Sequence, residues 1–243
     1  MKIGLISDIH SNFDALCSVL DYGQEQGVDQ YICLGDVVGY GADPNPCCDL
    51  LRQVCSATLM GNHDAAVIGM MDTDYYYNAA RHVIYWTRQQ LSKENFEWLY
   101  RLPYTYQREN LGFYHSAPIL PSAFYYVVRQ DDAAAHLRVF DRLSEFSFVG
   151  HSHLTSQYQL TEKKAKDVTG RVIKGKDERK WIINVGSVGQ PRDRDSRACF
   201  GIFDTDEQEF RHHRVEYDID RTAERIVSSG LDEKFARRLF VGL

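Results

Sequence analysis

Long apolar runs are missing from this chain. No stretch approaches the ~18 uninterrupted apolar residues of a membrane-crossing helix. The most apolar region, Phe113 to Val128, is interrupted by His115, Pro118 and Pro121. The first residues, MKIGLISDIH, are broken by Asp8 and His10 and lack the apolar core and cleavage site of a secretory signal. No Cys-x-x-Cys pair occurs among the six cysteines, and a chain of 243 residues does not need disulfide staples. A reducing, cytoplasmic setting is therefore expected. Cys17 and Cys33 read as small buried apolar groups, while the adjacent Cys47 and Cys48 leave a reactive pair as the lesser reading. Positive charge is scarce too. Lys+Arg number 28 against 34 Asp+Glu, a net charge of −6 that argues against a nucleic-acid binder with a broad basic face. Six prolines and 17 glycines are too few for a fibrous or low-complexity chain, and no internal repeat appears.

What is present is an ordinary globular composition, with 44% hydrophobic and 26% charged residues. One domain spanning 1–243 with mixed α/β layers is the expected organisation. Lys2–Ser7 reads as a buried strand, and Phe13, Leu16, Cys17 and Leu20 follow at helical spacing with Ser11 as the cap. Gln30–Leu34 and Ser56–Met60 read as strands around a helix at Pro44–Val54, which argues for parallel βαβ units. Asp74 to Arg101 is helical in pattern, with Ala79, Val83, Trp86 and Leu91 facing inward. Short strand-like runs follow at 104–107, 112–115, 146–150, 156–161, 181–185, 199–203 and 211–215. The polar, lysine-rich Thr161–Lys180 stretch reads as an exposed hairpin or mobile loop, and the tail from Tyr217 as two short helices.

Polar clusters sit where these strands end: Asp8-Ile9-His10, Gly35-Asp36, Gly61-Asn62-His63-Asp64, His115, and Gly150-His151-Ser152-His153. In open α/β sheets the carboxyl ends of strands line the ligand crevice. Carboxylate, amide and imidazole donors with no thiolate suit Mn, Fe, Zn, Co or Ni rather than a closed structural zinc site. Asp-x-His and His-x-His on extended backbone aim alternate side chains to one side. The glycines before Asp36, Asn62 and His151 fit sharp turns. Each cluster alone is commonplace. Their conjunction, with five of nine histidines at one end of the strands, is not.

As a set, Asp-x-His, Gly-Asp, Gly-Asn-His-Asp, His and Gly-His-x-His resembles the calcineurin-like metallophosphoesterase superfamily. The resemblance runs from Asp8 to His153, and Asn184–Arg192 is similar to a later glycine-rich segment. GDVVGYGADPNP resembles the small bacterial and archaeal phosphodiesterase-like branch. The implied fold is α/β: two stacked mixed β-sheets flanked by helices, a four-layer sandwich with a bimetal site at the strand C-termini. The implied cofactors are two divalent transition-metal ions, Mn or Fe favoured. Asp8, His10, Asp36 and His153 would hold the first, and Asp36 as bridge, Asn62, His115 and His151 the second. The implied activity is phosphoester hydrolysis, with a metal-bridging hydroxide attacking phosphorus in line. His63 would protonate the leaving group, and Asp64 would hydrogen-bond its ring and hold it cationic.

The chain departs from the pattern in places. Gly39 stands where many members carry an acidic residue or His. Tyr40 stands where the phosphoprotein phosphatases carry a phosphate-gripping Arg. Tyr40 and Arg192 are the candidate substrate contacts, although Arg192, Arg194 and Arg197 also read as a solvated charge run. Tyr75–Tyr77 and Tyr125–Tyr126 read as core or subunit interface rather than base-stacking platforms, so a homo-oligomer stays open. The reading favoured is a phosphodiesterase acting on a phosphate ester, nucleotides included. A diadenosine-polyphosphate hydrolase, a phosphoprotein phosphatase and a non-catalytic binding scaffold are the alternatives.

Overall fold

The computed structural model describes residues 1–74, 76–175 and 179–243. Three strands, Lys2–Ile6 (β1), Gln30–Cys33 (β2) and Cys55–Thr58 (β3), pair in parallel. Helices Phe13–Glu25 (α1) and Pro44–Val54 (α2) connect them, as the βαβ reading requires. Helix α1 starts one residue later than expected. Its cap is Asn12, whose side chain accepts from the Ala15 N–H at 3.1 Å, because Ser11 is held in a left-handed conformation by a bond to Val37. Pro44 opens α2, where its missing N–H costs nothing.

A short helix, Asn62–Val67 (α3), leads to Asn78–Gln90 (α4) and Lys93–Tyr100 (α5). The single helical run expected over 74–101 is thus two helices. Ser92 caps the second by accepting from the Asn95 N–H at 3.1 Å. Ala80, Val83, Ile84 and Thr87 form the buried face of α4, while Ala79 and Trp86 are half-buried. Tyr75 lies outside the described residues.

Strands Thr105–Arg108 (β4), Leu111–Tyr114 (β5) and Phe146–Val149 (β6) follow, with Gln130–Ala134 (α6) and a 3-10 stretch between the last two. Thr155–Thr161 (β7) and Lys164–Asp167 (β8) form a hairpin, so the lysine-rich stretch supplies its second strand rather than a hairpin of its own. Ile173–Lys174 (β9) then crosses to the other sheet, and 176–178 lie outside the described residues. Lys180–Val185 (β10), Ala198–Asp204 (β11), Glu209–Val215 (β12), Ile219–Ser228 (α7), Glu233–Arg237 (α8) and a closing 3-10 turn at Arg238–Phe240 complete the chain.

Two mixed six-stranded sheets result, in the orders β3-β2-β1-β11-β12-β9 and β4-β5-β6-β10-β7-β8. Alternation along the strands sorts the side chains. Ile3, Leu5, Ile32 and Leu34 face the second sheet and meet Phe113, Phe146, Phe148, Phe203 and Phe210. Ile6, Tyr31 and Cys33 face the opposite way and pack on α1 and α2. Val149, Tyr158, Leu160 and Ile182 cover the outer side of the second sheet beneath α6. A helix, sheet, sheet, helix order follows. Phe146 and Phe203 lie 4.8 Å apart across the middle, a contact type that adds ~0.5–1.5 kcal/mol to simple burial.

Cys47 and Cys48 are fully buried on α2, and burial pushes both thiols well above their ordinary value. The reactive-pair reading is excluded, since the thiolate is the nucleophile. All six cysteines are free thiols. Among the described residues no helix is long and apolar enough to cross a membrane.

Candidate metal centre

The loops leaving β1 and β2 are laced together by backbone bonds from Asp8, His10 and Ser11 N–H to the carbonyls of Gly35, Asp36 and Val37. This lacing holds Asp8 (φ 53°), His10 (φ 50°) and Asp36 (φ 53°) in the left-handed region; His151 (φ 67°) and His153 (φ 59°) share it. Non-glycine residues rarely adopt it, so five such positions in one cluster mark a built site. Of the glycines expected to make sharp turns, only Gly35 has positive φ, at 112°. Gly61 and Gly150 serve close approach instead. A Cβ on Gly61 would fall 2.1 Å from Asp36 Oδ1, and one on Gly150 would fall 2.0 Å from Ser7 Oγ.

Asp8, His10, Asp36 and His153 each place a donor atom within 4.8 Å of the others, and so do Asp36, His115 and His151. Asp36 belongs to both groups. Its Oδ1 accepts from the His63 N–H at 2.8 Å. Its Oδ2 lies 3.5 Å from His10 Nε2 and 3.4 Å from His115 Nε2, one ring from each group. Asn62 completes the second group, with Oδ1 3.2 Å from His115 Nε2. Its Nδ2 donates to Tyr76 Oη at 2.7 Å, which turns the amide oxygen inward.

The donor set fits cations. Nδ1 of His10, His115 and His153 sits 3.1, 3.1 and 2.7 Å from the carbonyls of Val38, Leu34 and Gln190. A carbonyl only accepts, so each Nδ1 carries the hydrogen and each ring turns Nε2 inward, as a lone pair in the neutral rings of His10 and His153. His10 Nε2 and His153 Nε2 then face each other at 3.1 Å, two acceptors with no donor between them. The buried His151 Nε2 likewise has no hydrogen-bond partner among the described residues. Imidazole and carboxylate donors arranged this way suit divalent transition metals.

Electrostatics follow from burial. Desolvation pushes His10 and His153 well below the ordinary imidazole value and His151 down to about 3. Burial also opposes charge on His115, but the Asp36 carboxylate outweighs it and lifts the ring to about 9. Asp36 is held well below the carboxylate range; burial works against this, and the charge of His115 prevails. Burial raises Asp8 to about 7.

Asp64 does not act as expected. Its carboxylate accepts from the backbone N–H groups of Gly61, Val37 and Val38 at 3.1 to 3.2 Å, bracing the two loops. Nδ1 of His63 is buried and has no hydrogen-bond partner among the described residues. Burial first, then the charges of Arg192 and Arg238, bring His63 down to about 4, opposite to the cationic ring anticipated. With its carboxyl turned to these three amides, Asp64 makes no hydrogen bond to the His63 ring among the described residues.

Tyr40 lies 4.4 Å from the His63 ring and 4.6 Å from the His10 ring, centroid to centroid. Arg192 lies 5.8 Å from the Tyr40 centroid, whereas Arg194 is exposed and Arg197 pairs with Asp195. Of the three arginines in this run, the one beside Tyr40 is thus Arg192, the candidate contact. Tyr77, Tyr125 and Tyr126 are exposed rather than core, and Tyr126 stacks on His151 at 3.9 Å. Two residues escaped the sequence reading. Tyr76, which orients Asn62, sat among tyrosines read as packing. Arg238, over the Tyr40 ring at 4.3 Å, carried no local signal because it arrives from the far end of the chain.

Comparison with known proteins agrees with this centre. Residues 1–208 match the calcineurin-like phosphoesterase superfamily domain. An uncharacterised protein of Methanocaldococcus jannaschii is 37% identical over 99% of this chain and 98% of its own length. The crystal structure of a metallophosphoesterase from Sphaerobacter thermophilus superposes with a TM-score of 0.85 at 35% identity, covering 100% of this chain and 99% of that one. A Pyrococcus horikoshii protein shares the fold with a TM-score of 0.79 at 19% identity, over 100% of this chain and 98% of its own. The chain belongs to the calcineurin-like phosphoesterase superfamily.

Proposed function

We propose that this protein is a divalent-metal-dependent phosphoesterase that hydrolyses phosphodiesters, with His63 donating the proton to the leaving oxygen. The observation that carries the reading is Asp36, whose Oδ2 lies within 3.5 Å of one histidine from each ligand group. A carboxylate shared in this way offsets the repulsion of two cations held a few ångströms apart. The residues Asp8, His10, Asp36 and His153 would hold one ion, and Asp36, Asn62, His115 and His151 the other. Manganese or iron is favoured, with zinc, cobalt and nickel as alternatives. When bound, such ions supply Lewis acidity and a water whose pKa falls to about 7.

The protein supplies the rest. Asp8 and Asp36 are fixed by N–H groups of His151 and His63, and so are positioned before substrate arrives. His63, beside His10 at 4.9 Å, stands at the edge of the centre, and its buried Nδ1 has no hydrogen-bond partner among the described residues. An anionic phosphoryl group next to it opposes the two arginines and favours the imidazolium. Tyr126 is exposed while resting on His151. A ring in that place stacks on a nucleobase, which favours nucleotide diesters within the class. Tyr40, where a phosphoprotein phosphatase has Arg, disfavours that alternative. The full ligand set disfavours a non-catalytic scaffold.

The test is turnover of aryl phosphodiesters, monoesters and dinucleotide polyphosphates across a panel of metals. Diester turnover should dominate and should disappear on chelation. His151→Ala should lower it at least 100-fold with the fold retained by circular dichroism. His63→Ala should slow a poor leaving group at least tenfold more than a good one. Full activity in His151→Ala would refute the reading, and equal losses for both leaving groups would remove His63 as the acid.

A further inference from the structure

Most arginines beside acidic residues in this chain are compensated. Arg214 pairs with Asp193, Arg225 with Asp43 and Arg237 with Glu233. Arg192 and Arg238 differ. Neither has a carboxylate within ion-pair distance among the described residues, and both lean on Tyr40 at the rim of the metal centre.

Arg238 is brought there by the closing 3-10 turn, 198 positions beyond Tyr40 in sequence. Its Nε donates to Gln190 Oε1, and its guanidinium rests on Phe235 as well as Tyr40. Its Nη2 is buried and has no hydrogen-bond partner among the described residues, although the Tyr77 phenol lies near enough to favour its charge. Arg192 follows the glycine-rich segment; its backbone N–H donates to the His153 carbonyl at 3.1 Å, and its charge reaches His10, His63 and His153. Burial and the nearby charge of Arg192 both oppose the Arg238 cation, a cost that an anion joining the two guanidiniums would offset. A guanidinium is the side chain best matched to phosphoryl oxygens.

We propose that Arg192 and Arg238 form an anion subsite that holds a phosphoryl oxyanion of the substrate on the His63 side of the metal centre. The subsite rests on the phosphoester reading above and replaces the clamp that Tyr40 cannot supply. The oxyanion is either part of the phosphoryl group under attack or belongs to a second phosphoryl group on the leaving side.

The experiment is calorimetric titration of the manganese-loaded protein with inorganic phosphate and with adenosine 5′-diphosphate, metal content being measured afterwards. Arg192→Gln and Arg238→Gln should each weaken binding about tenfold, the loss of one charge-assisted contact. Arg238→Lys, which keeps the charge, should recover part of it. Weakening toward both probes assigns the subsite to the phosphoryl group under attack, and weakening toward the diphosphate alone assigns it to the second group. Binding within twofold of wild type in both Arg192→Gln and Arg238→Gln, with metal retained, overturns the proposal. A protein that loses anion binding in these variants yet never cleaves a diester refutes the hydrolase reading and leaves the subsite standing.

Discussion

Single residues show how strain and close approach build the centre. Asp8, His10, Asp36, His151 and His153 all take positive φ, at a cost of roughly 1 kcal/mol each. Backbone bonds between the two loops offset that cost and fix the donor atoms. Gly39 shows the same economy of space. At φ 97°, a Cβ there would fall 2.6 Å from His63 Nδ1. Any larger side chain at this position would therefore crowd the His63 ring. Gly39→Ala should keep its metal, by elemental analysis, while turnover of a poor-leaving-group diester falls at least tenfold. Its loss should be smaller with a good leaving group, because the displaced residue is His63.

The elements carry the centre at their ends. Parallel strands β1, β2 and β3 deliver Asp8, Asp36 and Asn62 to one edge, and β5 and β6 bring His115 and His151 to the same edge from the second sheet. The strand ends were legible because each apolar run stops at a polar cluster. Helix boundaries were less so: the α1 cap and the break after α4 depend on loop contacts that the pattern of apolar residues does not contain. Strand β12 adds a pH-dependent contribution away from the metals. Removal from water pushes His212 down to about 4, while its Nε2 bonds the Asn184 carbonyl at 2.7 Å. Its folded value lies below the unfolded one near 6.5, so the unfolded chain takes up the proton first. The contribution, on the order of 2 kcal/mol after allowance for partial exposure, is present above about pH 6.5 and lost as pH falls toward 4. His212→Gln should flatten the dependence of unfolding free energy on pH over that window, as measured by urea denaturation.

For the whole molecule, two sheets enclose an aromatic core and expose one edge where buried donors converge. Ions binding this edge in the folded state alone stabilise it by about 2.7 kcal/mol at 100 times their dissociation constant. In a chain of this size that corresponds to roughly 5–10 °C in melting temperature. Chelation should lower the calorimetric Tm by that amount, and manganese should restore it. The net charge of −6 does not oppose an anionic substrate, because the edge gathers imidazoles and two guanidiniums that have no carboxylate partner among the described residues.

The amino-acid sequence by itself determined the strands, the βαβ start and the polar clusters at the strand ends, because apolar alternation and polar strand ends are local signals. Only the tertiary structure decided what Asp64, Gly39 and the arginines do. Asp64 is taken up by amides from two loops, Gly39 is kept bare by His63, and Arg238 crosses from the C-terminal turn to the Tyr40 ring, where Arg192 also lies. These are contacts between segments far apart in the chain, and their energies depend on desolvation and distance that residue order does not encode.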